Sequence, residues 1–499
     1  MPPRAPTDAP PARDPRAFYS ALATRDVRFD GRFYVAVVST GVFCRPICPA
    51  RTPRPEHCVF FPSAAAAHAA GFRPCLRCRP ELAPGIAGWR GTANTVSRAL
   101  ALISDGGWRE GDDVERLAER VGVGGRQLRR LFALHVGAAP IAVVQAQRVL
   151  LAKRLVADSR LPLAQVALAS GFGSVRRFND VMRRTFGRPP RELRRGGAPP
   201  DASGAVRLRL PHTAPYHWPA LLAFLAARAV PGVEEVVDGE YRRSFAHDGM
   251  HGSVAVRAAP RGDHLVATLR VSRVAALGGI VGRLRRLLDL DADARAIDAH
   301  LARDRGLAPL VAARPGLRVP GAWEPFELAV RAVLGQQISV AAARTIAGRI
   351  AAGFGVPVPG GGMAFPDPER LAGARLDGLG LTRARAAALS GLARAVADDP
   401  SLLEARGELE DTVARLAELP GIGRWTAQYV AMRALREPDA FPEADLGLLR
   451  ALERGGERPS PAALLRRAEA WRPWRAYAAL HLWTAGGAPA PGRPSTKGA

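Results

Sequence analysis

The stretch Leu419-Pro420-Gly421-Ile422-Gly423-Arg424-Trp425-Thr426-Ala427-Gln428-Tyr429 lies between two helical segments and decides how the C-terminal half reads. Its Gly-x-Gly turn predicts a hairpin with open backbone N–H groups, backed by the N-terminus of the helix that follows. Through Gly421 and Gly423 such a helix–hairpin–helix can grip one phosphate without reading a base. An Ala- and Gly-rich helix turn gives the same letters, so the hairpin alone does not settle the matter. Trp425 and Tyr429 tip the balance, with Asp445 sixteen residues beyond Tyr429.

The hairpin belongs to a chain of 499 residues, enough for roughly three domains. Apolar residues make up 47% and charged residues 23%, an ordinary globular balance that excludes disorder of the whole. No apolar run approaches the ~18 residues of a membrane span. The opening MPPRAPTDAPPARDP has no apolar core of a secretory signal, and residues 1–14 read as a disordered tail of a cytoplasmic protein. Lys and Arg total 71 against 46 Asp and Glu, a net +25. Residues 1–200 hold 32 basic and 15 acidic side chains, net +17, and the other 299 hold 39 and 31, net +8. The front of the chain thus carries two-thirds of the excess, as a surface docked on a polyanion would. Lysine occurs only at Lys153 and Lys497, so a general bias toward arginine also shapes the count.

Two Gly/Pro-rich breaks, PELAPGIAGWRG (80–91) and GGAPPDASGA (196–205), divide the chain, and GVPVPGGG (355–362) reads as a loop inside a longer helical region. Between the two breaks runs a repeat. Leu117-Ala118 followed by Gly122 recurs as Val166-Ala167 followed by Gly171, 49 residues on, and each unit closes with Gly-x-x-Pro at 137–140 and 187–190. A small residue four before a glycine suits the close approach of two helices in a helix–turn–helix. An apolar helix over Ile141–Val156 joins the units. Their second helices carry Arg126, Arg129 and Arg130, then Arg176, Arg177, Arg183 and Arg184, side chains suited to phosphates and guanine edges in successive major grooves. The doubled unit, including GFGSVRRFNDVMRRTFG (171–187), resembles the AraC-type DNA-binding domain.

Four of the five cysteines form two close pairs, Cys44/Cys48 and Cys75/Cys78, with 26 residues between the pairs. That spacing predicts a tetrahedral Zn²⁺ cage, structural unless its surroundings say otherwise. Cys58 lies outside both pairs and reads as a free thiol. The surroundings, TGVFCRPICPAR (40–51) and GFRPCLRC (71–78), resemble the N-terminal domain of the Ada adaptive-response regulator over residues 15–85. The resemblance implies that Cys44 accepts a methyl group from a methylphosphotriester in DNA, while Cys48, Cys75 and Cys78 remain structural ligands. Zinc keeps thiols ionised at neutral pH. Four thiolates on Zn²⁺ carry a formal −2 that repels phosphate; one methylation leaves −1, so repair becomes a switch that raises DNA affinity. Arg45, Arg51 and Arg73 are candidates to hold neighbouring phosphates. Members of that family often end in an O6-alkylguanine methyltransferase with its own nucleophilic cysteine; no cysteine follows Cys78, which excludes that activity.

Residues 206–290 mix β-alternation (Val206–Leu210, Ser253–Arg257, Leu265–Val271) with helices (Trp218–Ala229, Gly278–Leu290), an α+β unit, and from about 291 the chain reads as helical. With ELAVRAVLGQQISVAAA (327–343), PGLRVPG (315–321) and WRPWRAYAALHLW (471–483), the 419–445 region resembles the AlkA-type 3-methyladenine DNA glycosylase across residues 206–485. That resemblance implies Asp445 as the catalytic carboxylate and Trp425, Tyr429 and Trp483 as the lining of the base pocket. An alkylated base is cationic, leaves without a protonating acid, and is attracted by electron-rich rings once flipped out. A carboxylate can then stabilise the oxocarbenium-like sugar. Asp445 also reads as a helix N-cap and Trp471 as core. Gln337 stands where the family's type member has a Leu wedge, and Leu446 where it has a Tyr. The lyases of this superfamily use a lysine Schiff base, and no lysine lies between Lys153 and Lys497, so the enzyme is expected to be monofunctional.

The whole reads as multidomain and mainly α: a zinc-bound α/β domain (15–85), an all-α double helix–turn–helix domain (92–195), an α+β subdomain (206–290) and an all-α helix–hairpin–helix glycosylase domain (291–488). The expected cofactor is Zn²⁺, and the expected partners are alkylated and promoter double-stranded DNA and RNA polymerase, with no membrane. The expected location is the cytoplasm, associated with the nucleoid. Two other readings stay open: a regulator whose glycosylase half is a non-catalytic clamp, and an enzyme whose front half only targets it to DNA.

Overall fold

The computed structural model describes residues 15–486 apart from short stretches at 27–28, 81–82, 84–92, 105–107, 109–111, 160, 195–204, 248, 275–276, 405–407 and 454–455. The N-terminal tail (1–14) and nearly all of both Gly/Pro-rich breaks therefore lie outside the described residues, as does Lys497. Among the described residues no single helix is long and apolar enough to cross a membrane.

The cysteine-bearing region forms a four-stranded sheet of order β3-β1-β2-β4, from β1 (Tyr34–Val37), β2 (Val42–Cys44), β3 (Cys58–Phe61) and β4 (Arg73–Pro74). β2 and β4 run parallel, and the Cys75 N–H donates to the Phe43 carbonyl at 2.9 Å, so both cysteine pairs leave the same end of the sheet. The repeat folds as two matched units. Helices Val114–Arg120 and Gly125–His135 make the first, Leu163–Ala169 and Val175–Phe186 the second, and helix Pro140–Asp158 connects them. Gly122 and Gly171 both have φ of +76°, and Gly137 and Gly187 have +71° and +67°, left-handed turns that only glycine enters without strain. Ala118 and Ala167 are buried beneath these turns, as the close approach of the helices requires.

In the α+β region β5 (Val206–Pro211), β6 (Glu234–Val237), β7 (Glu240–His247), β8 (Met250–Ala258) and β9 (His264–Val271) form an antiparallel sheet of order β5-β9-β8-β7-β6. The three expected strands lie within β5, β8 and β9, and the two expected helices appear as Trp218–Arg228 and Leu277–Leu287. Sequence patterning did not yield β6 and β7, because they carry charge where a core strand carries apolar residues. Glu234 and Arg243 are buried and joined at 2.9 Å, and Arg243 also pairs with buried Glu327. Burial alone would raise the Glu234 carboxyl, but the Arg331 and Arg243 guanidiniums hold it down at about 2. GVPVPGGG, expected as loop, includes one strand of a small hairpin in which Val356 pairs with Ala364.

The hydrophobic cores run across the Gly/Pro-rich breaks. Tyr34, Phe43 and Phe61 of the first sheet share a core with Leu128, Leu131 and Phe132 of the first helix–turn–helix unit. Phe178 and Met182 of the second unit share one with Leu208, Val254 and Leu265 of the five-stranded sheet. Ion pairs Arg98–Glu437 (3.5 Å) and Arg120–Glu404 (2.8 Å) add contacts between the front and back halves. Arg318, from PGLRVPG, is fully buried and donates to the carbonyls of Thr213, Pro215, Asp289 and Ala292. It thereby locks the sheet region to the helical region that carries the hairpin.

Candidate zinc cage, DNA-reading helices and base pocket

The four thiols of Cys44, Cys48, Cys75 and Cys78 are buried, and their Sγ atoms all lie within 4.8 Å of one another. Tetrahedral Zn–S bonds of ~2.3 Å put sulfurs ~3.8 Å apart, so the group has the size of a zinc cage. Backbone donors serve the sulfurs: Arg45 N–H reaches Cys78 Sγ at 3.4 Å and Arg77 N–H reaches Cys75 Sγ at 3.3 Å. Donor set, spacing and burial therefore fit Zn²⁺. Cys58 is different: burial and the nearby Glu56 push its thiol up to about 11, and it bonds the Arg54 carbonyl. Metal analysis should find one Zn²⁺ per chain, lost on Cys75→Ala, with the loss of structure centred on residues 15–85; zinc-free protein from zinc-replete medium would contradict this.

Arg45, expected to meet phosphate, is turned inward. Its guanidinium pairs with buried Asp30 and donates to the Cys78 carbonyl at 3.2 Å, so it braces the cage from within. Arg51 is exposed and Arg73 half-buried. Lys153 is buried and donates to the Cys75 carbonyl at 2.9 Å, and Arg79 forms two bonds to Asp158, at 3.0 and 2.9 Å. Both contacts fasten the second cysteine pair to the helix that links the two readers.

On the helix–turn–helix units Arg126, Arg130, Arg176, Arg177, Arg183 and Arg184 are all exposed. Arg129 is exposed as well and bonds Glu115 at 2.7 Å. Both second helices thus present an exposed arginine face and bury an apolar side of Leu128, Phe132, Phe178 and Met182.

In the C-terminal half the hairpin is present, with Gly421 at φ +81° and Gly423 capping helix Arg424–Arg433 without a side-chain acceptor of its own. Nothing lies within 4 Å of where a side chain on Gly423 would begin, which leaves the helix N-terminus open to a phosphate. Gln336 was missed by the sequence reading although it stands in GQQIS. Its side-chain amide donates to the Gly421 carbonyl at 2.8 Å and the Thr426 hydroxyl at 2.9 Å, and Arg385 donates to its backbone carbonyl. The neighbouring Gln337 is exposed with a left-handed φ of +57°, one residue beyond the Gln336 bridge to the hairpin.

Trp425, Tyr429, Trp483 and Asp445 come together as expected. Trp425 stacks on Tyr429 at 5.4 Å and 11°, and Trp483 lies 6.2 Å from Tyr429. Asp445 caps helix Leu446–Ala451 through the Leu448 N–H at 3.0 Å. It also accepts from both indoles, Trp425 Nε1 on Oδ2 at 3.0 Å and Trp483 Nε1 on Oδ1 at 2.8 Å. Asp445 is therefore the N-cap that the sequence predicts, and the same carboxylate meets both indoles. Trp471 is core, its N–H donated to Asp304 at 2.9 Å. Arg433, another residue the sequence hid, donates to the Tyr429 hydroxyl at 2.6 Å and to the Pro320 and Gly321 carbonyls. Burial alone would raise the Tyr429 phenol, but the Arg433 and Arg228 guanidiniums pull it below its ordinary value. Leu446, next to Asp445, is 59% exposed.

Comparison with known proteins gives four family matches along the chain. They are the metal binding domain of Ada (17–81), a helix-turn-helix domain (117–196), the AlkA N-terminal domain (207–324) and the HhH-GPD superfamily base excision DNA repair protein (330–476). The chain is 43% identical, over 93% of its length and 95% of the relative's, to the probable bifunctional transcriptional activator/DNA repair enzyme AlkA of Mycobacterium tuberculosis H37Rv. It is 39% identical to DNA-3-methyladenine glycosylase 2 of Escherichia coli K12 over 54% of this chain and 94% of that one. Among solved structures, 3-methyladenine DNA-glycosylase from Archaeoglobus fulgidus matches 56% of this chain and 96% of its own at 25% identity and a TM-score of 0.49.

Proposed function

Since this chain belongs to the family of bifunctional transcriptional activator/DNA repair enzymes that join an Ada-type zinc domain to an AlkA-type glycosylase, we propose that it repairs alkylated DNA in two chemically separate ways and activates transcription in response. The observation that carries the glycosylase reading is Asp445, held by two indole N–H groups at the rim of an aromatic cluster.

A flipped alkylated base packs against the electron-rich cluster of Trp425, Tyr429 and Trp483, whose rings favour a cation over its neutral parent by ~0.5–2 kcal/mol per contact. The glycosidic bond breaks with its electron pair going to the base, which leaves neutral. The sugar becomes oxocarbenium-like, and the Asp445 carboxylate stabilises that charge while water adds to the anomeric carbon and releases its proton to solvent. Gly421, Gly423 and the N-terminus of helix Arg424–Arg433 hold a backbone phosphate meanwhile, and Gln337 fills the place of the wedge.

At the front, the Cys44 sulfur attacks the methyl carbon of a methylphosphotriester. The C–O bond breaks, its electron pair stays on phosphate, and Cys44 becomes a thioether. Bound zinc supplies the thiolate at neutral pH. Cys48, Cys75 and Cys78 keep the cage closed, and Arg51 is the exposed arginine suited to hold the neighbouring phosphate. The arginine faces of the two readers then bind promoter DNA, with RNA polymerase as the partner of activation.

Chromatography of a reaction on methylated duplex should detect free 3-methyladenine and 7-methylguanine, with intact abasic sites left in the strand. Borohydride added during turnover should trap no protein–DNA adduct, since no lysine lies between Lys153 and Lys497. A trapped adduct would contradict the monofunctional mechanism.

A further inference from the structure

Trp483 is expected to line the base pocket by stacking, but its most specific contact is polar. Its indole N–H lies 2.8 Å from Asp445 Oδ1, which also accepts from the Leu448 N–H at 3.0 Å, while Trp425 Nε1 donates to Oδ2 at 3.0 Å. Three donors thus meet the two oxygens of one carboxylate, and an indole N–H can only donate. They fix the rotation of the carboxylate about its own bond, so its charge is aimed before substrate arrives.

Gly447 explains how the Trp483 ring gets so close. A Cβ placed there would sit 2.9 Å from Asp445 Oδ1, 3.2 Å from Trp483 Cδ1 and 3.4 Å from Trp483 Nε1. In helix Leu446–Ala451 alanine would be the better helix former, so glycine is kept here at a cost to the helix. The missing side chain is the space across which the indole meets the acid.

We infer that Trp483 is a positioning residue that acts through Asp445, and that Gly447 is the gap that admits it. This rests on the reading of Asp445 as the catalytic carboxylate.

The test uses the full chain and single-turnover release of 7-methylguanine from methylated duplex. At position 483, Trp483→Phe is compared with replacement by benzothienylalanine, which keeps the size and stacking face of the indole but has sulfur in place of N–H. Both should lower the rate at saturating enzyme about 10-fold, the scale of one hydrogen bond to a charged group. For the benzothienyl variant, which keeps the aromatic face, half-saturation should stay within twofold, which a lost stacking contact would not allow. Gly447→Ala should lower the rate similarly, yet add less than twofold when combined with Trp483→Phe, because both act on one contact. A benzothienyl variant with the wild-type rate overturns the inference, and so does full additivity of Gly447→Ala with Trp483→Phe. Asp445→Asn, run alongside, separates the premise: its failure to slow release would fault the active-site reading itself.

Discussion

Asp445→Asn should lower excision of 3-methyladenine and 7-methylguanine by roughly 10²-fold or more. The substitution keeps the shape of the side chain and removes the negative charge that faces the developing sugar cation, and preorganised electrostatics is commonly the largest single catalytic contribution. The amide oxygen can still accept from Trp483 Nε1 and the Leu448 N–H, while Trp425 Nε1 loses its acceptor to the amide NH2. The helix cap therefore survives in part, and a global loss of structure is not expected. Binding to an abasic-site duplex should persist, because Gly421, Gly423 and the Gln336 bridge between hairpin and wedge are untouched. Trp425→Ala should behave differently and reduce selection of cationic over neutral bases, since it removes a stacked face along with one N–H. An Asp445→Asn enzyme that released methylated bases at the wild-type rate would remove Asp445 from the mechanism.

Cys44→Ala should abolish methyl acceptance altogether while leaving base excision intact. Wild-type protein exposed to methylated DNA should gain one methyl, on Cys44, and bind its promoter more tightly. The gain comes from one unit of negative charge removed close to phosphate, so it should shrink as salt rises and the Debye length contracts. Titrations of methylated and unmethylated protein across a salt series would measure it. A gain independent of salt would point to a shape change instead. The structure offers contacts at which such a change could be sought: Lys153 on the Cys75 carbonyl and Arg79 on Asp158 both tie the second cysteine pair to helix Pro140–Asp158.

The cage and the aromatic cluster around Asp445 were legible in the sequence because their chemistry restricts both residue type and spacing. Two close cysteine pairs admit few other purposes, and Trp425, Tyr429 and Asp445 lie near one another along the chain. The doubled Ala-x-x-x-Gly likewise named its own turns, and Gly122 and Gly171 share one left-handed φ of +76°. Buried charge was not legible. Arg45, Arg318 and Arg433 look like surface arginines in an arginine-rich chain, yet each satisfies carbonyls or acids inside the protein. The same effect hid strands β6 and β7, where Glu234 and Arg243 occupy core positions that patterning assigns to apolar side chains. Gln336 was overlooked for a different reason: its partners, Gly421 and Thr426, are more than eighty residues away in sequence.

In the proposed function one chain carries out two repair chemistries, one catalytic and one stoichiometric. The most direct test incubates purified full-length protein with excess methylated duplex and reads both products from the same sample. Chromatography counts free methylated bases, and peptide mass spectrometry locates methyl groups on the protein. Released bases should accumulate well beyond the number of protein molecules, while protein methylation should stop at one per chain, on Cys44. Base release no greater than in a protein-free control, or methyl found on Cys58 or nowhere, would contradict it.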